Sequence, residues 1–427
     1  MIYQNTIEFA TQLDEQDPLK DFQSQFLAPK HNGRDVIYLC GNSLGLQPVN
    51  ARIEIDKILT NWQQYAIEGF FTGDDPWLDF HKRLTKTLSA LVGAKSEEVT
   101  IMNSLTVNLH LLMVSFYQPA GKRYKILIEG GAFPSDQYAV ASQARFHGYD
   151  PKDAVIELFP REGEFTLRTE DILQTIKNHQ EELALVLFSG VNYYTGQVFD
   201  MPAVTKAGHA AGAIVGFDLA HAAGNVLLEL HDWDLDFATW CSYKYMNSGP
   251  GGISGAFVHE KHFSNQHMNR FEGWWGFRED RRFLMPPVFE ADKGAAAWQL
   301  STSPVMLLAL HKAALDVFES AGGLAPLRTK SELLTGYLEF LIERINQKHG
   351  EELFKIITPK TNTERGCQLS IVCKQNGKAM FDKLTENGVI GDWREPNVIR
   401  LSPVPLYNSF KQVFKAARIL ESSVEEN

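Results

Sequence analysis

The sequence lacks the features of a membrane protein, a disulfide-stabilised protein and a nucleic-acid-binding protein. No apolar run approaches the ~20 residues that a membrane-spanning helix needs. There are only four cysteines in 427 residues, and their spacing gives neither a disulfide framework nor a metal site: Cys40, Cys241, Cys367 and Cys373. The formal net charge of −11 argues against nucleic acid or an anionic membrane surface as a partner.

The N-terminal residues also lack the pattern of a secretory signal. Residues 1–22 are acidic, with no basic start, apolar core or small-residue cleavage site. We therefore expect a cytoplasmic protein. The length and an apolar fraction of 44% predict a large domain with a smaller companion.

What is present is a regular alternation of short apolar runs and helical segments. The runs predicted as strands are 99–103, 124–129, 154–159, 183–189, 214–217 and 237–242. Such alternation is typical of an α/β protein whose parallel sheet is covered on both faces. We predict a large α/β domain over 50–305, and a smaller α+β domain made by 1–49 together with 306–427.

Helices and strands are also predicted outside the large sheet. One helix is expected over 6–26, and two long helices over 306–321 and 331–349. Strands are expected at CQLSIVC (367–373) and over 397–405. These elements would form the N-terminal segment and the smaller domain.

Two strand ends carry the residues that predict the chemistry. IVGFD ends in Asp218, and the run that begins at Phe237 leads into Tyr243 and Lys244 before a Gly-Pro-Gly-Gly segment. Parallel sheets bind ligands outside the carboxyl ends of their strands, so Asp218 and Lys244 would emerge at one edge. Pyridoxal phosphate needs a lysine for its aldehyde and an acid against its pyridine nitrogen. The pair thus indicates that cofactor, although each residue alone is common at strand ends.

Four further segments could bind a ligand or serve only the structure. Ser104–Thr106 opens a helix, and either caps it or leaves its N–H groups free for an anion. Phe133 either stacks on a flat heterocycle or packs in the core. Ser43, in a Gly-Asn-Ser-Leu-Gly turn, either reaches a ligand or caps the turn. Arg400, among apolar neighbours, either pairs with a carboxylate or is a surface arginine.

Three motifs together resemble kynureninase, a family of fold-type I pyridoxal-phosphate enzymes. They are GNSLGLQP (41–48), FDLAHAAGN (217–225) and CSYKYMNSGPGG (241–252), in the order that the family has them, and the resemblance runs from about 39 to about 410. It implies the aspartate-aminotransferase-like fold of class V enzymes, with a mostly parallel seven-stranded sheet. It further implies a homodimer with active sites shared across the interface.

The activity that the resemblance implies is hydrolysis of L-kynurenine to anthranilate and L-alanine. 3-Hydroxy-L-kynurenine would give 3-hydroxyanthranilate, and the reaction belongs to tryptophan degradation or NAD biosynthesis. Members that prefer the hydroxylated substrate carry a His near the position of Phe70 and an Asn near that of Thr302. A phenyl ring offers the extra phenol no hydrogen bond, so we expect a preference for kynurenine itself.

The same resemblance implies roles for individual residues. Lys244 would hold the cofactor and remove the Cα proton, Asp218 would keep the pyridine nitrogen protonated, and Tyr243 would pass a proton to the β-carbon. The matching cofactor-binding residues are Leu105, Thr106, Phe133, Ser135, Asp136, Ser189, Asp218, His221, Tyr243, Lys244, Trp274 and Thr302. Of these, Trp274 and Thr302 would reach the partner's site. The matching substrate-binding residues are Ser43, Phe70 and Arg400.

Other functions on the same fold stay open at this point. An aminotransferase would not release anthranilate and alanine. A cysteine desulfurase needs a reactive cysteine on a mobile loop, whereas Cys367 and Cys373 alternate like strand residues. A protein that binds the cofactor without catalysis is disfavoured because four residues occur together, namely Lys244, Asp218, Tyr243 and Arg400.

Overall fold

The computed structural model describes residues 2–265 and 268–425. Its N-terminal segment contains one helix and five two-residue strands: α1 (Ile7–Gln16), β1 (Phe26–Leu27), β2 (Lys30–His31), β3 (Arg34–Asp35), β4 (Ile37–Tyr38) and β5 (Gln47–Pro48). The predicted helix over 6–26 is wrong beyond Gln16. Asp17 is extended because it precedes Pro18, and only a 3₁₀ turn, Lys20–Gln25, follows.

The large sheet has seven strands and is mostly parallel, as predicted. They are β6 (Val99–Ile101), β7 (Lys125–Glu129), β8 (Val155–Leu158), β9 (Leu183–Ser189), β10 (Ile214–Asp218), β11 (Phe237–Cys241) and β12 (Ser254–Val258). Their spatial order is β6-β12-β11-β10-β9-β7-β8. β12 runs antiparallel to both of its neighbours, and the other pairings are parallel.

Helices cover both faces of this sheet, which explains why its strands are almost continuously apolar. They are α2 (Ala51–Tyr65), α3 (Phe80–Val92), α4 (Leu105–Phe116), α5 (Pro134–Phe146), α6 (Pro151–Ala154), α7 (Thr169–Asn178) and α8 (Met201–Ala210). In β9, Val186 and Phe188 belong to the apolar cluster on one face, and Leu187 to the cluster on the other.

The C-terminal part is built from four helices and five strands. They are α9 (Val305–Ser320), α10 (Leu324–His349), β13 (Phe354–Ile356), β14 (Leu369–Cys373), α11 (Gly377–Glu386), β15 (Val389–Ile390), β16 (Asp392–Arg394), β17 (Val398–Leu401) and α12 (Phe410–Glu425). Four strands form an antiparallel sheet in the order β13-β14-β17-β16. Helix α10 begins seven residues before the predicted start, because Pro326 lies in its first turn, where a missing N–H is tolerated.

The N-terminal segment packs with the C-terminal part. β4 pairs with β15, and Ala10 and Leu13 of α1 share an apolar cluster with Leu420 of α12. Helix α9 instead packs on the core of the large sheet through Leu308 and Phe318. The predicted domain division, 50–305 against 1–49 with 306–427, stays a prediction. Over 2–265 and 268–425, no helix is both long and apolar enough to cross a membrane.

Candidate active site

Four neighbouring parallel strands bring polar residues to one edge of the large sheet. β7 ends at Glu129, β9 at Ser189 and β10 at Asp218, while Lys244 follows β11 after a short turn. Ser189 and Asp218 are register partners. The sequence therefore places an amine and three oxygen-bearing side chains at the edge where α/β proteins bind ligands.

A cavity of about 200 Å³ lies at this edge. It is lined by Leu105, Thr106, Phe133, Ser135, Asp136, Ser189, Val191, Tyr193, Asp218, Ala220, His221, Cys241, Tyr243 and Lys244. Every residue predicted to bind the cofactor, except Trp274 and Thr302, is among them. The amine of Lys244 and the carboxylate of Asp218 thus open onto one cavity.

Lys244 meets a histidine and an aromatic ring in this cavity. Its Nζ lies 2.9 Å from Nε2 of His221 and 5.8 Å from the ring centre of Phe133. Burial, and then the charge of Lys244, hold the pKa of His221 well below its ordinary value. The imidazole is therefore neutral, and its Nε2 accepts a hydrogen bond from the lysine.

Asp218 and Asp136 form a pair of buried acids beside the lysine. An oxygen of Asp218 accepts a 2.7 Å hydrogen bond from the N–H of Ala220, and the two carboxyl groups share another hydrogen bond. Burial raises the pKa of both acids. That of Asp136 is raised well above its ordinary value, because the charge of Asp218 adds to burial, whereas Lys244 opposes the rise at Asp218. Asp136 therefore holds the shared proton, and Asp218 is the charged member.

The opposite end of the cavity has the chemistry of an anion site. Leu105 and Thr106 form the first turn of α4, and the side chain of the preceding Ser104 makes no capping hydrogen bond. The first N–H groups of this 12-residue helix are thus left for a ligand, and the helix dipole favours a negative charge there.

These surroundings fit pyridoxal phosphate. The cavity offers an amine, a charged acid, the ring of Phe133 and a helix N-terminus. In addition, two buried atoms have no partner among the described residues, namely Nδ1 of His221 and Oδ1 of Asp136. Unpaired polar atoms inside a protein are rare, and a polar ligand can satisfy them.

Tyr243 lines the cavity next to the lysine and is half-buried. Burial, and then the neighbouring Cys241, raise the pKa of its phenol above the ordinary value. The hydroxyl is therefore protonated throughout the physiological pH range and can act as a hydrogen-bond or proton donor.

The turn over 41–48 packs directly under the lysine. The N–H of Gly45 donates a 2.8 Å hydrogen bond to the carbonyl of Tyr243. A Cβ on Gly45 would lie 2.4 Å from the carbonyl oxygen of Lys244, closer than any real contact. Glycine is therefore required here for the turn to support the Lys244 backbone.

Arg400 and Ser43 are brought together, but behind the cavity rather than on its wall. Both bind the carboxylate of Asp392: Ser43 donates over 2.7 Å, and the Arg400 guanidinium forms a short ion pair. A second guanidinium nitrogen donates to the carbonyl of Tyr193, which does line the cavity. Nε of Arg400 is buried without a partner among the described residues.

Three predicted contacts lie away from the cavity within one chain. Phe70 is half-buried and packs edge-on against Trp77, with ring centres 5.3 Å apart. Trp274 is 43% exposed and donates to the carbonyl of Arg282 over 3.3 Å. Thr302 is exposed. A single chain therefore does not bring these residues to the lysine.

Sequence reasoning missed several residues at the site. Glu129 is buried at the end of β7 and binds both the N–H and the hydroxyl of Ser189. Its signal was present, since ILIE ends an apolar run in an acid as IVGFD does. Asp392 gave no comparable signal, because Ser43 is distant in the sequence and only the pairing of β16 with β17 sets Arg400 opposite it. The unpredicted lining residues are Val191, Tyr193, Ala220 and Cys241.

Comparison with known proteins places these features in a family. The family model described as the kynureninase C-terminal domain matches residues 327–420. A protein named kynureninase from Flavobacterium psychrophilum is 56% identical over 427 residues, which is 100% of each chain. A kynureninase from Flavobacterium johnsoniae is 54% identical over 424 residues, covering 99% of each chain.

The fold also matches solved structures. A mutant of C-DES, with glycine covalently linked to its PLP cofactor, superposes with a TM-score of 0.75 at 15% identity. The match covers 90% of this chain and 96% of that one. At such low identity the likeness shows the fold alone, and this fold is the predicted one.

Proposed function

Because the chain belongs to the kynureninase family, we propose that it hydrolyses L-kynurenine to anthranilate and L-alanine with pyridoxal phosphate as cofactor. The enzyme is a hydrolase of carbon–carbon bonds. It would act on 3-hydroxy-L-kynurenine in the same way. The location in the cytoplasm and the purpose, tryptophan degradation or NAD biosynthesis, stay predictions.

The observation that carries the proposal is the single cavity shared by Lys244 and Asp218 in a chain 56% identical to a kynureninase over its full length. When bound, pyridoxal phosphate supplies a ring that withdraws electrons from the substrate's Cα and lets its proton leave. Lys244 would hold the cofactor's aldehyde, and Leu105 and Thr106 its phosphate. Phe133 would lie on its ring.

The residues around Lys244 support its role as the proton carrier at Cα. His221 is neutral and accepts a hydrogen bond from Nζ, which orients the amine. Asp218 keeps its charge because Asp136 holds the proton of that pair. A charged acid at this point favours protonation of a pyridine nitrogen. General acid–base groups of this kind contribute about 10²–10⁴-fold to rate.

Tyr243 and Arg400 complete the proposed mechanism. The phenol of Tyr243 is protonated, so it can deliver a proton to the substrate's β-carbon after the Cβ–Cγ bond breaks. Arg400 would bind the substrate's α-carboxylate, and Asp392, which also accepts from Ser43, orients its guanidinium. Water supplies the oxygen of the new carboxylate, so that kynurenine and water balance with anthranilic acid and alanine.

The activity is tested by product analysis of the purified enzyme loaded with pyridoxal phosphate. We expect anthranilate and alanine in equal amounts from kynurenine, measured by chromatography with no keto-acid co-substrate present. The cofactor-free protein is the control. Without a keto acid an aminotransferase would form neither product, so turnover only with a keto acid would contradict the proposal.

A cysteine desulfurase is the alternative that the thiols argue against. All four cysteines are free and buried. Burial raises the pKa of Cys241 to about 11, and those of Cys367 and Cys373 to about 12 each; it also raises that of Cys40. None is therefore a thiolate near neutral pH, and the thiolate is the nucleophile that desulfuration needs.

We further propose a homodimer in which Trp274 and Thr302 complete the partner's cavity. Neither lines the cavity of its own chain, and Trp274 stands among exposed apolar side chains. Leu284 is 72% exposed and Val288 is 70% exposed, and Phe283 and Met285 are also exposed. An apolar patch of this kind on a folded chain marks an interaction surface.

Shared sites predict complementation between two defective variants. Lys244→Ala and Trp274→Ala proteins are mixed 1:1 after dissociation and reassociated. Half of the dimers are then mixed, and each holds one site with both Lys244 and Trp274. We expect about a quarter of wild-type activity in an anthranilate assay, more than the mean of the parents.

Mixing Lys244→Ala with Lys206→Ala, an exposed α8 residue, is the control for this experiment. It should give half of the activity of the Lys206→Ala protein, because half of all sites have the lysine. Activity in the first mixture no higher than the mean of its parents would show that each site is made by one chain.

A further inference from the structure

Glu129 is a buried acid that the proposed mechanism does not use. Its side chain stands at the end of β7 and is only 1% exposed. One oxygen accepts a 2.8 Å hydrogen bond from the N–H of Ser189. The other accepts a short one from the Ser189 hydroxyl, and a 3.2 Å one from the amide of Asn192. All three partners can donate, so the carboxylate form of Glu129 can accept a hydrogen bond from each of them.

The hydroxyl of Ser189 is fixed by this arrangement. Because its proton is directed at Glu129, the oxygen can offer only its lone pairs to a ligand in the cavity that Ser189 lines. The register partner of Ser189 is Asp218. Glu129 therefore determines the polarity of the cavity wall beside the acid that would face the cofactor.

Asn192 connects the same carboxylate to the substrate side. Its side-chain oxygen accepts hydrogen bonds from the N–H groups of Tyr194, at 3.0 Å, and Thr195, at 2.9 Å. This holds the turn that contains Tyr193, whose carbonyl accepts from the Arg400 guanidinium. A chain of direct contacts thus runs from Glu129 through Asn192 to Arg400.

We propose that Glu129 is a positioning residue for both halves of the active site, an inference that rests on the proposed function. Its carboxylate orients Ser189 in the cofactor cavity, and through Asn192 it holds the Tyr193 carbonyl that backs Arg400. Glu129 does not line the cofactor cavity, so it acts through these two residues.

Electrostatics shows why this acid must be held by donors. Burial raises the pKa of Glu129 to about 7, against the lowering effect of the Ser189 and Asn192 hydrogen bonds, and Asp218 adds to the rise. The three donors stabilise the carboxylate and hold its pKa below the value that burial alone would give. An amide at this position cannot accept from all three, so Ser189 would have to reverse its hydroxyl.

The test compares Glu129→Gln, Ser189→Ala and the double variant with wild type. Glu157→Gln, an exposed acid on the neighbouring strand β8, is the matched control. Two quantities are measured: the dissociation constant of pyridoxal phosphate, by titration of the cofactor-free protein, and the KM and kcat of anthranilate release. The melting temperature reports folding.

We expect Glu129→Gln to raise the cofactor dissociation constant and the KM for kynurenine by about tenfold each, as the loss of a charge-assisted hydrogen bond predicts. Ser189→Ala should raise only the cofactor dissociation constant. The double variant should bind the cofactor no more weakly than Glu129→Gln, because both changes remove one interaction. Glu157→Gln should match wild type.

Additive effects of the two changes on cofactor binding, or a Glu129→Gln protein with wild-type KM, would overturn the proposal. If Glu129→Gln does not fold, Asn192→Ala takes its place. That variant should raise KM and leave cofactor binding unchanged, and an unchanged KM would overturn the proposal equally. A wild-type protein that releases no anthranilate would refute the proposed function, while the cofactor titration would still test the link to Ser189.

Discussion

Replacing Lys244 with alanine is expected to lower anthranilate release by at least about 10³-fold, because it removes a general acid–base group and the covalent attachment of the cofactor together. Lys244 is the only amine among the residues that line the cavity. His221, which contacts Lys244, is a weak base because burial holds its pKa well below its ordinary value. The measurement is anthranilate fluorescence over hours of incubation.

The same variant should still bind pyridoxal phosphate. The helix N-terminus at Leu105, the ring of Phe133 and the acid at Asp218 remain in place. The absorption spectrum of the bound cofactor should then resemble that of the free aldehyde. Lys206→Ala is the matched control and should keep wild-type activity and spectrum. Residual activity above about 1% of wild type would mean that another group removes the Cα proton.

The sheet was predictable because its strands carry a local signal. Each is a short apolar run with a turn on either side, and the predicted strand over 183–189 has the observed bounds. The errors occur where one residue changes the backbone. Pro18 ends α1 early through Asp17, whereas Pro326 is accommodated in the first turn of α10, and the pattern alone did not separate these cases.

Part of the site was predictable from the rule that parallel sheets bind ligands outside the carboxyl ends of their strands. Asp218 and Lys244 were placed together by that rule, and the other predicted cavity residues by resemblance to the family. Asp392 could not be found, because only the folded antiparallel pairing of β16 with β17 sets it beside Arg400. Trp274 and Thr302 are not brought to the cavity by one chain, so their predicted roles depend on a partner.

Asp218→Asn is expected to lower kcat by about 10²–10³-fold, since it removes a preorganised charge from the reacting centre while keeping the shape of the side chain. The amide can still accept the hydrogen bond from Ala220, so the turn beyond β10 should hold. Activity is measured by anthranilate release at saturating kynurenine. Asp232→Asn, an exposed acid in the turns before β11, is the control.

A second experiment on Asp218→Asn measures the stability of the cofactor-free protein as a function of pH. Burial, and then the charge of Asp218, raise the pKa of Asp136. The same two causes raise the pKa of Glu129 from 4.5 to about 7. The folded chain therefore binds more protons than the unfolded one between those values, so stability falls as pH rises through that window. In Asp218→Asn, which lacks this charge, the loss of stability with rising pH is smaller. The melting temperature of Asp218→Asn should thus be higher relative to wild type at about pH 8 than at about pH 5.

A difference in melting temperature that is independent of pH would show that the three acids are not coupled. A kcat within about threefold of wild type would show that Asp218 does not act on the cofactor ring.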